Sequence, residues 1–351
     1  MSGSVLTPGK AWGLRRLADA AGNFMMLAVD QRPPIAELVA RGRGVPAVAA
    51  GFADIAAVKR CLAEALAPHA TATLVDPNFA YPAAIAAVPA SRGLLLTLEE
   101  HRFEETPHGR KSSSIPGWSV AKIRRLGADA VKVLAWYRPD ASEAAKAHQR
   151  AYVAAVGEEC RRHDIAFVFE LLVYPFPGER GHTSAYLEDG AKRPEAVLAS
   201  VAEFADPRYG VDLFKIESPI PAPRLPDPRS RAAVPAQAWF DRIAATLAAR
   251  DCPWVMLSAG AGKAEFERVL TYAYRAGANG YLAGRAIWWE ALRAFPDLAA
   301  CRARLAAEAV PYMRRLNRLT SRRARPWHAD ARFDVTREGD FARGYPDCAA
   351  A

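Results

Sequence analysis

The chain has 351 residues, of which 51% are hydrophobic and 24% charged, a balance typical of a globular protein with a large core. Neither an apolar run of membrane-spanning length nor a secretory signal pattern is present, and the five scattered cysteines contain no CxxC motif. A membrane protein, a disulfide scaffold and a zinc site are therefore disfavoured, and a cytoplasmic protein with reduced thiols is expected; the net charge of +9 leaves an anionic metabolite or nucleic acid open as a partner.

Eight short apolar segments predict buried parallel strands, because strands that are covered on both faces carry nearly continuous apolar runs. These segments are 24–30, 72–76, 93–98, 130–136, 166–173, 211–217, 254–258 and 280–283. Longer segments with apolar residues at i, i+3 and i+4 predict helices between the strands. They are 48–66, 143–162, 194–204, 236–250 and 263–276.

The strict alternation of strands and helices permits either a doubly wound sheet or a closed barrel. Eight units favour the barrel, and no GxGxxG motif follows the first strand as a dinucleotide-binding sheet would require. We therefore predict an α/β fold, a (β/α)8 TIM barrel, as a single domain over residues 1–325. Extended loops at 175–193 and 219–231 would lie on the catalytic face, and an irregular C-terminal tail would follow over 326–351.

Four of the apolar strands carry a charged residue at or near the carboxyl end, namely Asp30, Lys132, Glu170 and Lys215. A lone buried charge costs several kcal/mol unless it is paired or solvated. The carboxyl ends of barrel strands converge on one pocket, so these groups can neutralise one another there. A buried ion-pair network without chemistry is the alternative, but four such charges at the catalytic end favour a functional site.

The lysine pair indicates a specific chemistry. A lysine amine attacks a carbonyl only after it loses its proton, and burial or a second nearby ammonium promotes that loss. The iminium that forms withdraws electrons, so that a neighbouring carbon–carbon bond can break. Glu170 lies on the strand between those of Lys132 and Lys215, a suitable position for proton transfer.

Glycine-containing turns follow the last two predicted strands. Ser258 to Gly262 (SAGAG) ends the seventh strand, and Gly284-Arg285 ends the eighth. Barrels commonly bind phosphate at this position through backbone N–H groups and a helix N-terminus. Glycine permits close approach of the backbone, and arginine adds a fixed charge with fork geometry. The pair of turns therefore predicts a phosphate site.

Other polar residues carry weaker signals. The seven histidines form no spaced pair, so no metal site is predicted. Asp76-Pro77 either reaches the pocket or starts a turn. Glu99, Glu100 and His101 follow the third strand and could line the mouth of the barrel, but no role is assigned to them.

The chain resembles the class I tagatose-1,6-bisphosphate aldolase family, which includes related sulfofructose-phosphate aldolases. The resemblance extends in order from about residue 10 to 315. The segments that carry it are AVDQR at 28–32, LVDP at 74–77, GADAVK at 127–132, FELL at 169–172, ADPR at 205–208, LFKIE at 213–217, LSAG at 257–260 and AGRAIW at 283–288.

The resemblance implies a Schiff base on Lys215, with Glu170 as the main proton-transfer residue. It implies that Lys132 tunes Lys215 and holds the substrate, and that Asp30 and Gln31 contact substrate hydroxyls. Asp30 would also share the acid–base work. The implied phosphate-binding residues are Ser258, Gly260, Gly284 and Arg285.

The implied reaction cleaves a phosphorylated ketose such as tagatose 1,6-bisphosphate to dihydroxyacetone phosphate and glyceraldehyde 3-phosphate. The resemblance further implies a homo-oligomer that acts on a phosphosugar without a cofactor or a metal ion. Pro33-Pro34, the enlarged loop 175–193 and the long tail past Leu316 depart from the family pattern. The first two departures bear on the end of the substrate far from the Schiff base and leave its distal group open, with the sulfonate of sulfofructose 1-phosphate as one alternative.

Three further hypotheses remain. A phosphosugar isomerase or epimerase on the same barrel would need a carboxylate base but no pair of buried lysines. A non-catalytic sugar-phosphate sensor would keep the pocket without turnover. A nucleic-acid role for the arginine-rich stretch 314–325 would require interleaved aromatic residues, which are absent, so no nucleic-acid partner is expected.

Overall fold

A computed structural model describes residues 5–182, 189–327, 332–333 and 341–345. Eight parallel strands pair in chain order, and the last pairs with the first, so the sheet closes into a barrel. The predicted (β/α)8 barrel is confirmed, and each of the eight predicted strands is present. The strands are β1 (Phe24–Ala28), β2 (Ala72–Val75), β3 (Gly93–Thr97), β4 (Ala130–Trp136), β5 (Ala166–Leu172), β6 (Leu213–Ile216), β7 (Trp254–Met256) and β8 (Gly280–Ala283).

Helices follow the strands and surround the barrel. They are α1 (Pro8–Leu17), α2 (Pro33–Arg43), α3 (Phe52–Leu66), α4 (Ala80–Ala84), α5 (Val120–Arg125), α6 (Glu143–Arg162), α7 (Pro194–Phe204), α8 (Ala233–Ala248), α9 (Lys263–Arg275), α10 (Arg285–Leu292), α11 (Leu298–Arg304), a π-helical segment (Leu305–Ala309), α12 (Val310–Arg323) and α13 (Phe341–Gly344). Two short strands, Glu104–Thr106 and Gly109–Lys111, form an antiparallel hairpin after β3. A two-residue strand, Val5–Leu6, pairs with Arg332–Phe333.

The predicted start of one helix is wrong. The segment from Val48 was expected to be helical, but α3 begins at Phe52, with Gly51 as its N-cap residue. Residues 47–49 form a separate 3-10 turn, and Val48 is 95% exposed. The apolar pattern there does not reflect burial, and the glycine separates the turn from the helix.

The barrel interior changes from apolar to charged along the strands. Alternate residues of a strand point to the same face. Ala130 and Val168 therefore lie in the same layer of the interior, and both belong to a buried apolar cluster that α1 closes from below. Two positions further along the same strands stand Lys132 and Glu170. These charged residues lie in a layer above the apolar cluster and line the cavity at the carboxyl end of the barrel.

Asp76 has a structural role at the end of β2. Its carboxylate accepts hydrogen bonds from the backbone N–H groups of Asn78 and Phe79 at 3.0 and 2.8 Å. It also forms a buried ion pair with Lys59 of α3, whose ammonium donates to the Val29 carbonyl. Of the two readings of Asp76-Pro77, the turn is the one that the structure supports.

The described part of the chain contains no helix that is long and apolar enough to cross a membrane. Within the predicted tail, residues 332–333 form a strand and residues 341–344 form a short helix. Most of the remaining residues of 326–351, and residues 183–188 of the predicted long loop, lie outside the described ranges. The division into a barrel over 1–325 and an irregular tail stays a prediction.

Candidate active site

A cavity with an open volume of about 600 Å³ lies at the carboxyl ends of the strands. It lies where catalytic residues occur in barrels of this fold. Eight of the nine site residues predicted from sequence line this cavity; Gly260 does not. The lining residues are Ala28, Asp30, Gln31, Arg32, Pro33, Pro34, Glu99, His101, Lys132, Leu134, Glu170, Leu172, Lys215, Leu257, Ser258, Ala259, Leu282, Gly284 and Arg285.

Lys132 is the centre of the charged layer. Its Nζ lies 2.6 Å from Glu99 Oε1, 2.8 Å from Glu170 Oε2 and 3.1 Å from Asp30 Oδ2. The lysine side chain is 2% exposed, so three carboxylates take the place of its hydration shell. Three carboxylates around one buried cation leave an excess of negative charge that a second cation reduces.

Lys215 supplies that second cation. Its Nζ lies 2.9 Å from Glu170 Oε2, the same oxygen that contacts Lys132. Glu170 therefore stands between the two ammonium groups, and Lys215 has this single ion-pair partner among the described residues. The strand register sets the arrangement, because Glu170 of β5 pairs directly with Lys215 of β6.

Burial opposes charge on each of these groups, and pairing outweighs it for most of them. Burial raises the pKa of Asp30, but the positive charges of Lys132 and Lys215 lower it by a larger amount, so that the pKa lies below its ordinary value. The same two lysines outweigh burial at Glu170 and lower its pKa. Burial lowers the pKa of Lys132, yet Glu170, Glu99 and Asp30 together raise it well above its ordinary value. Lys132 is therefore a permanent cation.

Glu99 behaves differently from the other two carboxylates. Burial raises its pKa, and the positive charges of Lys132 and Arg32 offset only part of the effect. Sequence analysis assigned Glu99 no role, although the alternation along β3 contains the signal: Leu95, Thr97 and Glu99 are spaced by two and share a face. Glu99 thus extends the charged layer by one more strand.

The ends of β7 and β8 form one wall of the cavity. Ser258 and Ala259 line it from the turn after β7, and Ala259 has a positive φ of 45°, an unusual backbone for a residue with a side chain. Gly284 is the N-cap residue of α10, whose first residue is Arg285. Burial lowers the pKa of Arg285, partly offset by Glu170 and Asp30.

A second buried guanidinium faces the cavity from the turn between β1 and α2. Arg32 is 6% exposed, and its Nη2 donates to the Glu99 carbonyl at 2.8 Å. Its Nη1 is buried and has no hydrogen-bond acceptor within the described ranges; the carboxylate of Glu100 lies 3.9 Å away. The carbonyl oxygen of Gln31 is likewise buried without a donor there. Both groups are available to a bound molecule.

An apolar wall completes the cavity on the side of β4 and β5. Leu134, Leu172 and Leu257 line it and belong to a buried cluster with Trp136 and Tyr174. Behind this wall, the guanidinium of Arg110 packs against three aromatic rings, those of Phe103, Trp136 and Tyr174, at 4.3, 4.7 and 4.7 Å. This packing fixes the hairpin that carries Arg110 against the apolar wall.

A further buried ion pair lies beside the cavity. Glu217 follows Lys215 by two residues, and its carboxylate lies 2.6 Å from Lys192 Nζ. The other carboxylate oxygen accepts a hydrogen bond from the Val173 backbone N–H at 2.7 Å, where the β5–β6 ladder ends. The side chains of Lys192 and Glu217 are 0% and 2% exposed. Lys192 thus anchors the returning arm of the 175–193 loop to the strand that carries Lys215.

Across the described ranges, no group of three or more histidine, cysteine, aspartate or glutamate side chains is arranged to hold a metal ion. The three converging carboxylates of the site point at the ammonium of Lys132 instead.

The sequence that forms this barrel matches a known family. Residues 24–290 match the family model described as DeoC/LacD family aldolase, and this span begins at the first residue of β1 and ends within α10. The chain is 30% identical over 328 residues to tagatose 1,6-diphosphate aldolase of Lactococcus lactis, covering 92% of this chain and 98% of the relative. It is 31% identical over 331 residues to tagatose 1,6-diphosphate aldolase 1 of Streptococcus mutans, covering 92% and 99%.

Solved structures share the fold at low sequence identity. Fructose-bisphosphate aldolase of Plasmodium falciparum superposes with a TM-score of 0.64 at 12% identity, covering 92% of this chain and 98% of the other. Fructose-bisphosphate aldolase of Slackia heliotrinireducens gives a TM-score of 0.55 at 13% identity, covering 92% and 91%.

The protein is thus an aldolase barrel, a carbon–carbon lyase by class. It belongs to the DeoC/LacD aldolase family, which confirms the family resemblance and the reaction class predicted from sequence.

The Lys192–Glu217 pair yields a stability prediction. Lys192→Met removes the cation beside a buried carboxylate, and we expect the free energy of unfolding in urea to fall by about 3–5 kcal/mol. The double variant Lys192→Met/Glu217→Gln should recover part of that loss, because it no longer buries a charge. Arg161→Met, which breaks an exposed pair with Glu158, is the control and should cost at most about 1 kcal/mol. A loss at Lys192 no larger than that of the control would contradict the assignment.

Proposed function

We propose that this chain is a class I aldolase that cleaves a phosphorylated ketose through a Schiff base on Lys215. The observation that carries the proposal is the position of Glu170, whose Oε2 lies 2.8 Å from Lys132 Nζ and 2.9 Å from Lys215 Nζ. One carboxylate oxygen is thus in contact with both a permanent cation and a candidate nucleophile. An acid–base group in reach of an amine is what imine chemistry requires.

The surroundings of the two lysines support Lys215 as the nucleophile. Lys132 contacts three carboxylates, which hold its pKa well above the ordinary value and keep it protonated. A protonated amine has no lone pair with which to attack a carbonyl. Lys215 contacts Glu170 alone among the described residues, so that one proton transfer to that carboxylate frees its lone pair. Lys132 then serves as a fixed charge that orients Glu170 and substrate hydroxyls.

The Schiff base forms in two proton-coupled steps. The neutral amine of Lys215 adds to the ketose carbonyl carbon and gives a carbinolamine. Glu170, now protonated, donates its proton to the departing hydroxyl, which leaves as water and produces the iminium. Burial of Glu170 strengthens its electrostatic coupling to both lysines.

The iminium then permits carbon–carbon cleavage. A carboxylate removes the proton from the hydroxyl on the carbon beyond the bond that breaks, with Glu170 as the main candidate and Asp30 as a second. The aldehyde departs, and the bonding electrons move to the iminium nitrogen to give an enamine. Protonation of the enamine carbon and hydrolysis of the imine release the second product and restore Lys215.

Two cationic positions suit a substrate that is anionic at both ends. We assign the first phosphate to Ser258, Gly260, Gly284 and Arg285, where strand-end backbone and the start of α10 adjoin the cavity. Gly260 lies on the same turn although it does not line the cavity. Arg32 has a buried, unsatisfied Nη1 and supports an anionic distal group, with Gln31 beside it for a hydroxyl.

The names of the relatives indicate the first substrate to test. We propose tagatose 1,6-bisphosphate, cleaved to dihydroxyacetone phosphate and glyceraldehyde 3-phosphate, since relatives bearing that activity in their names align over 92% of this chain. A guanidinium can also pair with the oxygen atoms of a sulfonate, so sulfofructose 1-phosphate is the alternative substrate on the same mechanism. The homo-oligomer and the cytoplasmic location stay predictions.

Substrate cleavage tests the proposal directly. We expect the purified protein to release dihydroxyacetone phosphate from tagatose 1,6-bisphosphate in a reduction assay coupled to NADH oxidation, and Lys215→Met to abolish release while circular dichroism remains unchanged. Sulfofructose 1-phosphate is run in parallel, and a higher kcat/KM for it would replace the first substrate. Binding of both ketoses without turnover would identify a sugar-phosphate sensor and refute the aldolase proposal.

Glu170→Gln separates proton transfer from nucleophilic attack. The amide keeps the shape of the side chain but cannot exchange a proton, so we expect kcat to fall by about two to four orders of magnitude. The matched control is Glu99→Gln, which also removes a carboxylate from Lys132 but leaves the neighbour of Lys215 in place. An equal loss of kcat in both variants would show that the general charge balance, rather than Glu170 itself, limits the rate.

A further inference from the structure

An arginine-lined groove lies on the outside of the barrel, remote from the active-site cavity. It is bounded by α9, α12 and the loop that precedes α8, and it has an open volume of about 1330 Å³. None of its lining residues is shared with the cavity at the strand ends. The groove is lined by Asp227, Pro228, Arg229, Glu267, Arg268, Thr271, Tyr274, Arg275, Leu319 and Arg323.

The charged residues that line this groove leave an excess of positive charge. Four arginines line it against two carboxylates, those of Asp227 and Glu267. Asp227 accepts a hydrogen bond from the backbone N–H of Arg229 at 2.8 Å, and Glu267 pairs with Arg315, outside the groove, at 2.7 Å. Within the described ranges, no side chain pairs with the guanidinium groups of Arg229, Arg268 or Arg323.

The guanidinium of Arg268 is partly buried. The Nε of Arg268 is buried and has no hydrogen-bond acceptor within the described part of the chain. A buried donor without an acceptor costs about 1–3 kcal/mol, and more when it is charged. Two turns further along the same helix, Arg275 donates from its Nη1 to the Pro228 carbonyl at 2.8 Å, which fixes the position of its guanidinium. The groove therefore combines a donor that lacks an acceptor with a second guanidinium held in a fixed position.

We propose that this groove is a binding site for a small polyphosphate anion, such as the phosphate chain of a nucleotide. Arginine forks match phosphate oxygens bidentately, and several guanidiniums in one concave site favour a ligand with several negative charges over a single phosphate. A cleft of like charges also concentrates oppositely charged ligands. The arginine-rich C-terminal stretch noted in the sequence contributes Arg323 to this site.

The groove is less suited to nucleic acid. Binding of single strands depends on aromatic side chains on which bases stack. The aromatic residue of the groove is Tyr274, which is 5% exposed and whose hydroxyl is engaged with Thr320 at 2.7 Å. The ring is thus part of the packing between α9 and α12 and offers no stacking surface.

Titration calorimetry with sodium tripolyphosphate tests the proposal without reference to enzyme activity. We expect one equivalent to bind to the wild-type protein, and Arg268→Ala and Arg323→Ala each to weaken binding at least about tenfold, since a charge-assisted hydrogen bond contributes about 1.5–3 kcal/mol. Arg322→Ala is the matched control, because Arg322 is exposed, adjacent to Arg323 and outside the groove. Its affinity should stay within about twofold of the wild type.

Three outcomes would overturn the inference. They are no binding at millimolar tripolyphosphate, an equal loss of affinity in Arg322→Ala, and displacement of tripolyphosphate by a short RNA whose own binding is weakened by Arg322→Ala. Arg323 is exposed, so its removal leaves the core intact and keeps the test valid if Arg268→Ala folds poorly. The proposal is independent of the aldolase substrate, and the two can fail separately.

Discussion

The charged layer at the mouth of the barrel depends on the mutual compensation of Lys132 and its three carboxylate neighbours. Each of these groups is between 2% and 8% exposed and would be costly to bury alone. Neighbouring strands hold the charges at 2.6–3.1 Å, so removal of one charge leaves the others uncompensated. The apolar layer below and the leucine wall beside the cavity offer no polar group in place of a missing partner.

This need for charge compensation gives the two lysines different surroundings. Lys132 is enclosed by carboxylates and is fixed in its charged form, whereas Lys215 has its one ion pair among the described residues with Glu170. Glu170 therefore contacts both lysines and links Lys215 directly to the charge balance around Lys132. In the proposed mechanism, Lys215 transfers a proton to Glu170 before it attacks the substrate carbonyl. The total charge of the site stays the same, because the proton remains within the network.

Much of the fold and part of the site could be predicted from the sequence. All eight strands were predicted because buried parallel strands are continuous apolar runs, and charges such as Lys132 and Lys215 stand out within them. No role was predicted for Glu99, because it lies just beyond an apolar run, where charged residues are common. The partners of buried charges could not be found: Lys59 meets Asp76, and Lys192 meets Glu217, only through tertiary packing.

Covalent trapping of the Schiff base tests the central assignment most directly. The protein is mixed with dihydroxyacetone phosphate and sodium borohydride, and the intact mass of the wild type is compared with that of Lys215→Met. The account predicts a stable adduct in the wild type and none in the variant. An adduct that persists in Lys215→Met, or a wild type that cleaves the ketose without ever forming an adduct, would contradict it.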